Sequence, residues 1–118
     1  MSIQGLFSAY LASGGSNGLV LNGMCAPRPA RIRSVAATAG AGGSTCVMDV
    51  TVNGVSVWTS AASRPTLSGA AGGKFTVGSI NRTAVREFDA VAIVLATAGG
   101  KANVACTVAL EDPEVPGG

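Results

Sequence analysis

Residues 47–58 read VMDVTVNGVSVW, and this stretch decides the fold. Apolar and polar residues alternate, Asn53-Gly54 interrupts, and alternation resumes. A two-residue Asn-Gly loop between alternating segments is a strong hairpin signal, because both turn positions need φ > 0. The implied register sets Val52 against Val55, Thr51 against Ser56, Val50 against Val57 and Asp49 against Trp58. Four valines then share a core face. Asp49, Thr51, Ser56 and Trp58 share the other, where Trp58 is a candidate contact point.

Outward from this hairpin, the remaining segments also read as strands. LVLNG (19–23) reads as a short strand closed by Asn-Gly. CAPRPARIRSVAAT (25–38) starts with two prolines, so strand character begins near Ala30. Ile32 and Val35 break the period of two, which predicts a bulge or a change of buried face. SRPTL (63–67) holds a short extended piece, and KFTVGSI (74–80) another strand. In DAVAIVLAT (89–97) both faces are apolar, predicting burial on both sides. NVACTVALE (103–111) alternates, with Val104, Cys106, Val108 and Leu110 on one face and Ala105, Thr107 and Ala109 on the other. The outer face of these last two strands is then small and nearly uncharged, and suits either packing against another subunit or cover by the chain's own loops. ATAGAGGSTCV (37–47) faintly echoes ATAGGKANVAC (96–106), too briefly to mark a duplication.

No helix of ten or more residues is apparent. Short strands between Gly-rich turns predict an all-β, antiparallel β-sandwich or jelly-roll-like single domain. The expected organisation is an N-terminal arm over 1–17, a sandwich over 18–111 and a flexible acidic tail over 112–118. In the arm, Ile3, Leu6, Phe7, Tyr10 and Leu11 fall at near-helical spacing. They are candidates for contact with a neighbouring chain.

Composition narrows the function classes. Among 118 residues, 12% are charged and 47% hydrophobic, with 17 Gly. A soluble domain usually carries about 25% charged residues, so either small polar residues dominate the surface or other chains cover part of it. A net charge of +2 with few aromatics argues against nucleic-acid binding. The longest apolar run, AVAIVLATA (90–98), is about half a membrane span, so no membrane partner is expected. The N-terminus lacks the basic region of a signal peptide. With no His, the commonest general base and a frequent metal ligand are missing. Glu87 and Asp89 read as solvated acids. Cys25, Cys46 and Cys106 show no metal-ligand spacing and read as reduced thiols. No enzyme activity, metal or cofactor is expected. Arg28, Arg31 and Arg33 form the densest positive cluster, either a solvated strand edge or an electrostatic contact to an acidic subunit. Asn81-Arg82-Thr83 matches a glycosylation sequon and, without a secretion signal, reads as chance.

Residues 30–111 also resemble a pattern found in tailed-phage virion β-domains. The matching features are Asp49, Asn53-Gly54, Ser56, the segment Arg64-Pro65-Thr66, Asp89 opening a strand, and the closing strand. Phe88 stands where that pattern usually has Gly. The resemblance implies a virion structural protein, such as a capsid decoration (cement) protein made in the host cytoplasm and bound to the capsid exterior. Its implied partners are the major capsid protein and further copies of itself, a trimer being favoured. The alternative is a tail or head-fibre domain that binds host-surface glycan. The matching residues define a fold and carry no catalytic site.

Overall fold

The structure is a computed structural model describing residues 3–11, 16–40, 45–60, 63–67, 73–74, 80–97, 99 and 103–112. It is an all-β single domain of two antiparallel sheets. In chain order the strands are β1 (Ile3–Leu11), β2 (Leu19–Cys25), β3 (Ala30–Ala39), β4 (Cys46–Val52), β5 (Val55–Ser56), β6 (Thr66–Leu67), β7 (Gly73–Lys74), β8 (Ala84–Val85), β9 (Ala90–Thr97) and β10 (Val104–Glu111). The first sheet runs β1-β10-β3-β7, with β8 also on β3; the second runs β2-β9-β4-β5, with β6 also on β4.

The pairing is nested. β1 pairs with β10, β2 with β9, β3 with β7 and β8, and β4 with β5. One long antiparallel ribbon is therefore folded over itself, and its tip is the Asn53-Gly54 turn. Successive turns of the ribbon are stitched by β10 on β3 and by β9 on β4. This is the winding of a jelly roll.

The hairpin keeps its expected register for Thr51 opposite Ser56 and Val52 opposite Val55. Val57 N–H continues it, donating to Val50 C=O at 3.0 Å. Asn53 and Gly54 have φ of 53° and 82°, as this turn requires. The valine face divides, however. Val50 and Val57 are core, Val52 is half-buried, and Val55 is exposed where the turn leaves the sandwich.

Inward side chains from both sheets form one core. It includes Ile32, Val35, Met48, Val50, Leu67, Val91, Ile93, Leu95, Val104 and Val108. The bulge expected between Ile32 and Val35 is present: the β3/β10 register shifts where Ile32 and Ser34 oppose Leu110 and Ala109, leaving Arg33 as the extra residue. β10 buries the face expected of it. β9 fully buries Val91, Ile93 and Leu95, whereas Ala92, Val94 and Ala96 are only half-buried. Its second face is thus less covered than its apolar content predicts.

Three expectations are corrected. Residues 3–11 of the predicted arm form edge strand β1, paired along its length with β10. Pairing satisfies backbone groups that a free arm would leave to water. It also sends adjacent Leu6 and Phe7 to opposite faces, which defeats the helical reading. Residues 12–15 and 113–118 lie outside the described residues. Asn22-Gly23 does not end a strand; β2 passes through it, with a register shift between Val20 and Asn22. Trp58 does not face solvent: it is 2% exposed and belongs to the core cluster.

Candidate protein interface

Two outward faces of the sandwich differ in what occupies them. On the second sheet, Asp49 is buried despite pointing away from the core. Ser56 Oγ–H donates to its Oδ1 at 2.7 Å, and Ser56 Oγ accepts from Trp58 N–H at 3.2 Å. Arg64 Nε lies 3.6 Å from Asp49 Oδ2 as an ion pair, beyond hydrogen-bond distance. Arg64 reaches this place because Thr66 and Leu67 pair with β4 and Pro65 C=O accepts from Met48 N–H at 2.9 Å.

The hairpin tip is fastened as well. Asn53 Nδ2 donates to Asp89 Oδ1 at 2.9 Å, and Asn53 Oδ1 accepts from Ala90 N–H at 2.9 Å. Asp89 Oδ2 accepts from Arg86 N–H at 2.8 Å. These bonds, led by the one from the Arg86 backbone, hold the Asp89 carboxyl below its usual range. Asp49, Asn53, Ser56, Arg64 and Asp89, all singled out in the sequence, are therefore framework residues.

The first sheet presents a different face. In β1, Leu6, Ser8 and Tyr10 point outward while Phe7 and Ala9 enter the core. Pairing registers align these with β10 and β3 in three rows. The rows are Leu6–Ala109–Ser34, Ser8–Thr107–Ala36 and Tyr10–Ala105–Thr38. No charged residue stands among the nine. Leu6 is 69% and Tyr10 63% exposed, two large side chains on either side of Ser8 along one flank. The other two columns are small, and Ala36, Thr38, Ala105 and Thr107 line a shallow hollow of about 120 Å³. Tyr10 O–H donates to Asn103 Oδ1 at 2.6 Å, which fixes the ring and uses its donor within the chain.

The sequence-predicted contact residues therefore separate. Leu6 and Tyr10 stand on this face. Leu11 packs partly against the core, and Phe7 and Trp58 are buried within it. Phe7 and Trp58 are corrected as surface contacts. The side chain of Ile3 lies outside the described residues. Of the three arginines, Arg31 and Arg33 line one shallow cleft and Arg28 does not. Arg28 Nη2 lies 3.2 Å from Asp112 Oδ1, with both side chains exposed. Arg31 Nε donates to Glu111 Oε1 at 2.8 Å, and Glu111 is 1% exposed. Arg33 is exposed at the bulge. A shallow cleft of about 250 Å³ lies between Arg31, Arg33, Thr83 and Glu111.

Phe88 is a contact candidate that pattern reading passed over. It is 71% exposed and has φ of 68°, a left-handed conformation natural to Gly. Its N–H donates to Ala26 C=O at 2.6 Å, and Ala26 N–H donates to Asp89 C=O at 2.8 Å. Its substitution for the usual Gly before an acidic residue was the available signal.

All three cysteines are reduced thiols. Burial pushes the Cys106 thiol up to about 12, so it stays protonated. Cys25 is exposed and donates from Sγ to Phe88 C=O at 3.3 Å. Among the described residues no group of three or more His, Cys, Asp or Glu is placed to hold a metal. Also among them, no helix is long and apolar enough to cross a membrane. No family model, curated protein or solved structure matches this chain.

Proposed function

We propose that this chain is a structural protein that works by lying against other protein chains, as a decoration protein on the exterior of a tailed-phage head. One observation carries the assembly reading: nine outward residues on three paired strands form an uncharged face with Leu6 and Tyr10 exposed along its flank. A surface left to water usually mixes charges of both signs. Large apolar side chains exposed on an otherwise small, uncharged face favour a contact with another surface. The phage setting rests on the sequence resemblance, whose matching residues lie in the networks around Asp49 and Asp89. Jelly rolls serve capsid and lectin domains alike, so the winding is compatible with this setting without selecting it.

In this role each contact is small, and many copies on one shell gain firm attachment through effective concentration. The resemblance favours trimers bound to the major capsid protein. The glycan-binding alternative is weakened by the burial of Trp58, which removes its largest sugar platform. The test is co-sedimentation of the purified protein with tailed-phage capsids stripped of decoration. Saturable binding at a fixed number of copies per shell is expected. No binding, or binding proportional to concentration without saturation, would overturn the phage-head reading.

A further inference from the structure

We propose that the outer face of the first sheet is covered by the same face of a second copy, related by a two-fold axis running along β10. The inference deepens the assembly reading above by naming the neighbour at that face. It rests on where large and small residues fall.

The three outward columns are Leu6, Ser8, Tyr10 on β1; Ala109, Thr107, Ala105 on β10; and Ser34, Ala36, Thr38 on β3. Rotation by 180° about an axis along β10 brings a second face onto the first. It sets β1 of each copy over β3 of the other and keeps the rows in step. Tyr10 then falls over Thr38 of the other copy, at the hollow lined by Ala36, Thr38, Ala105 and Thr107. Leu6 falls over Ser34, and Ser8 over Ala36. Ala105, Thr107 and Ala109 meet their own counterparts, where only small side chains allow close approach. Large residues thus oppose small ones in the two outer rows, and the middle row holds only small residues. A two-fold axis across the strands would instead stack β1 on β1, setting Leu6 against Tyr10 and leaving the hollow unfilled.

The electrostatics agree with a self-pair. With no charge among the nine residues, these columns meet their copies without like-charge repulsion. The polar groups are mainly hydroxyls of Ser8, Ser34, Thr38 and Thr107, which both donate and accept, and Thr107, on the axis, meets its own counterpart as a matched donor and acceptor. Sheets packed face to face keep their strands within about 30° of each other, which this axis permits.

Size sets the strength. Three strands about 4.8 Å apart and five residues at about 3.4 Å each give roughly 250 Å² in projection. A stable interface buries about 800 Å² per partner. The pair is therefore weak in free solution and becomes firm only among copies already held close together.

The experiment uses the purified full chain without shells. Thr107→Cys is placed in a Cys25→Ser background, which leaves the buried Cys46 and Cys106 as the other thiols. A short bis-maleimide is added across a protein concentration series. The proposal expects covalent dimers that rise with concentration and stop at two chains. It also expects at least a tenfold loss of dimer when Ala36→Arg is added, with an unchanged circular dichroism spectrum and melting temperature. Val55→Cys at the hairpin tip, in the same background, should give at least tenfold less. Equal yields from both positions, higher species, or indifference to Ala36→Arg would overturn the two-fold pair. Shell binding by Ala36→Arg separates this inference from the function. If pairing is absent and Ala36→Arg abolishes shell binding, the face covers a shell protein: the pair is wrong and the function stands. If pairing occurs and the unaltered chain never binds shells, the pair stands and the phage-head function falls.

Discussion

The outward face of the second sheet carries a buried acidic network, whereas that of the first carries none among its nine paired residues. Around β4, Asp49 is buried beneath Ser56 and Arg64, and Thr51, Ala92 and Val94 are all half-covered. Around β10, Ala105, Thr107 and Ala109 are half-covered too, but they lie between exposed flanks, Leu6, Ser8 and Tyr10 on one side and Ser34, Ala36 and Thr38 on the other. The same number of main strands and the same antiparallel pairing support both faces. What differs is where polar residues were spent. One face uses them to lock the ribbon tip, and among the nine residues of the other none carries a charge.

The largest expected contrast is between two aromatic residues. Trp58→Ala removes a buried side chain and should cost about 3–5 kcal/mol in denaturant unfolding. Tyr10→Ala, on the open face, should cost under about 1 kcal/mol, since it loses one exposed hydrogen bond and partial packing. Similar losses for both would break the comparison.

Next is Asp49→Ala. It leaves Arg64 and Ser56 without their acidic partner in a mostly covered site, and should cost about 2–3 kcal/mol. The matching change on the first sheet, Thr107→Ala, should stay within about 0.5 kcal/mol. Urea midpoints of the two variants measure the difference directly.

A smaller effect is expected at Phe88. Phe88→Gly relieves left-handed backbone and should raise stability by about 0.5–1 kcal/mol. Loss of stability instead would mean that the exposed ring packs usefully within the chain.

Asp89 gives a pH signature. Its folded carboxyl titrates below the ordinary 3.8 because of the bonds from Arg86 N–H and Asn53. The folded state therefore binds fewer protons than the unfolded one in that window. Its contribution is complete above the unfolded value and fades as pH falls through the lowered folded value. Asp89→Asn should flatten this part of the acid limb, read by melting temperature below about pH 4.

The smallest expected signal is chemical. A thiol reagent should titrate one cysteine, Cys25, in the native protein and all three after unfolding. Fast labelling of Cys106 would mean that β10 is not closed by β1 and β3.

The sequence disclosed elements whose signals are local. The Asn-Gly turn, the alternation in β10 and the broken period at Ile32 and Val35 all appear in place. Where signals depended on distant partners, reading stopped short. Residues 3–11 show both helical spacing and alternation, and only the open edge of β10, nearly a hundred residues on, decides between them. Trp58 looked outward because alternation was carried past Ser56, where β5 ends. Alternation places Asp49 on the outer face, and its cover, Arg64, arrives just ahead of another short strand. Of the interface candidates, Leu6 and Tyr10 are displayed; the column opposite them, on β3, became visible only from the register.

The nested pairing has a mechanical consequence. Ile3 lies opposite Glu111, so the outer ends of β1 and β10 sit side by side. Tension applied between those ends loads the hydrogen bonds one after another. The ribbon would open like a zipper from its outermost pair towards Asn53-Gly54, at modest force. Load spread across the sheet faces meets no such sequential path. The domain is therefore stiff when pressed and weak when peeled, and it bears stress best when attached by a face.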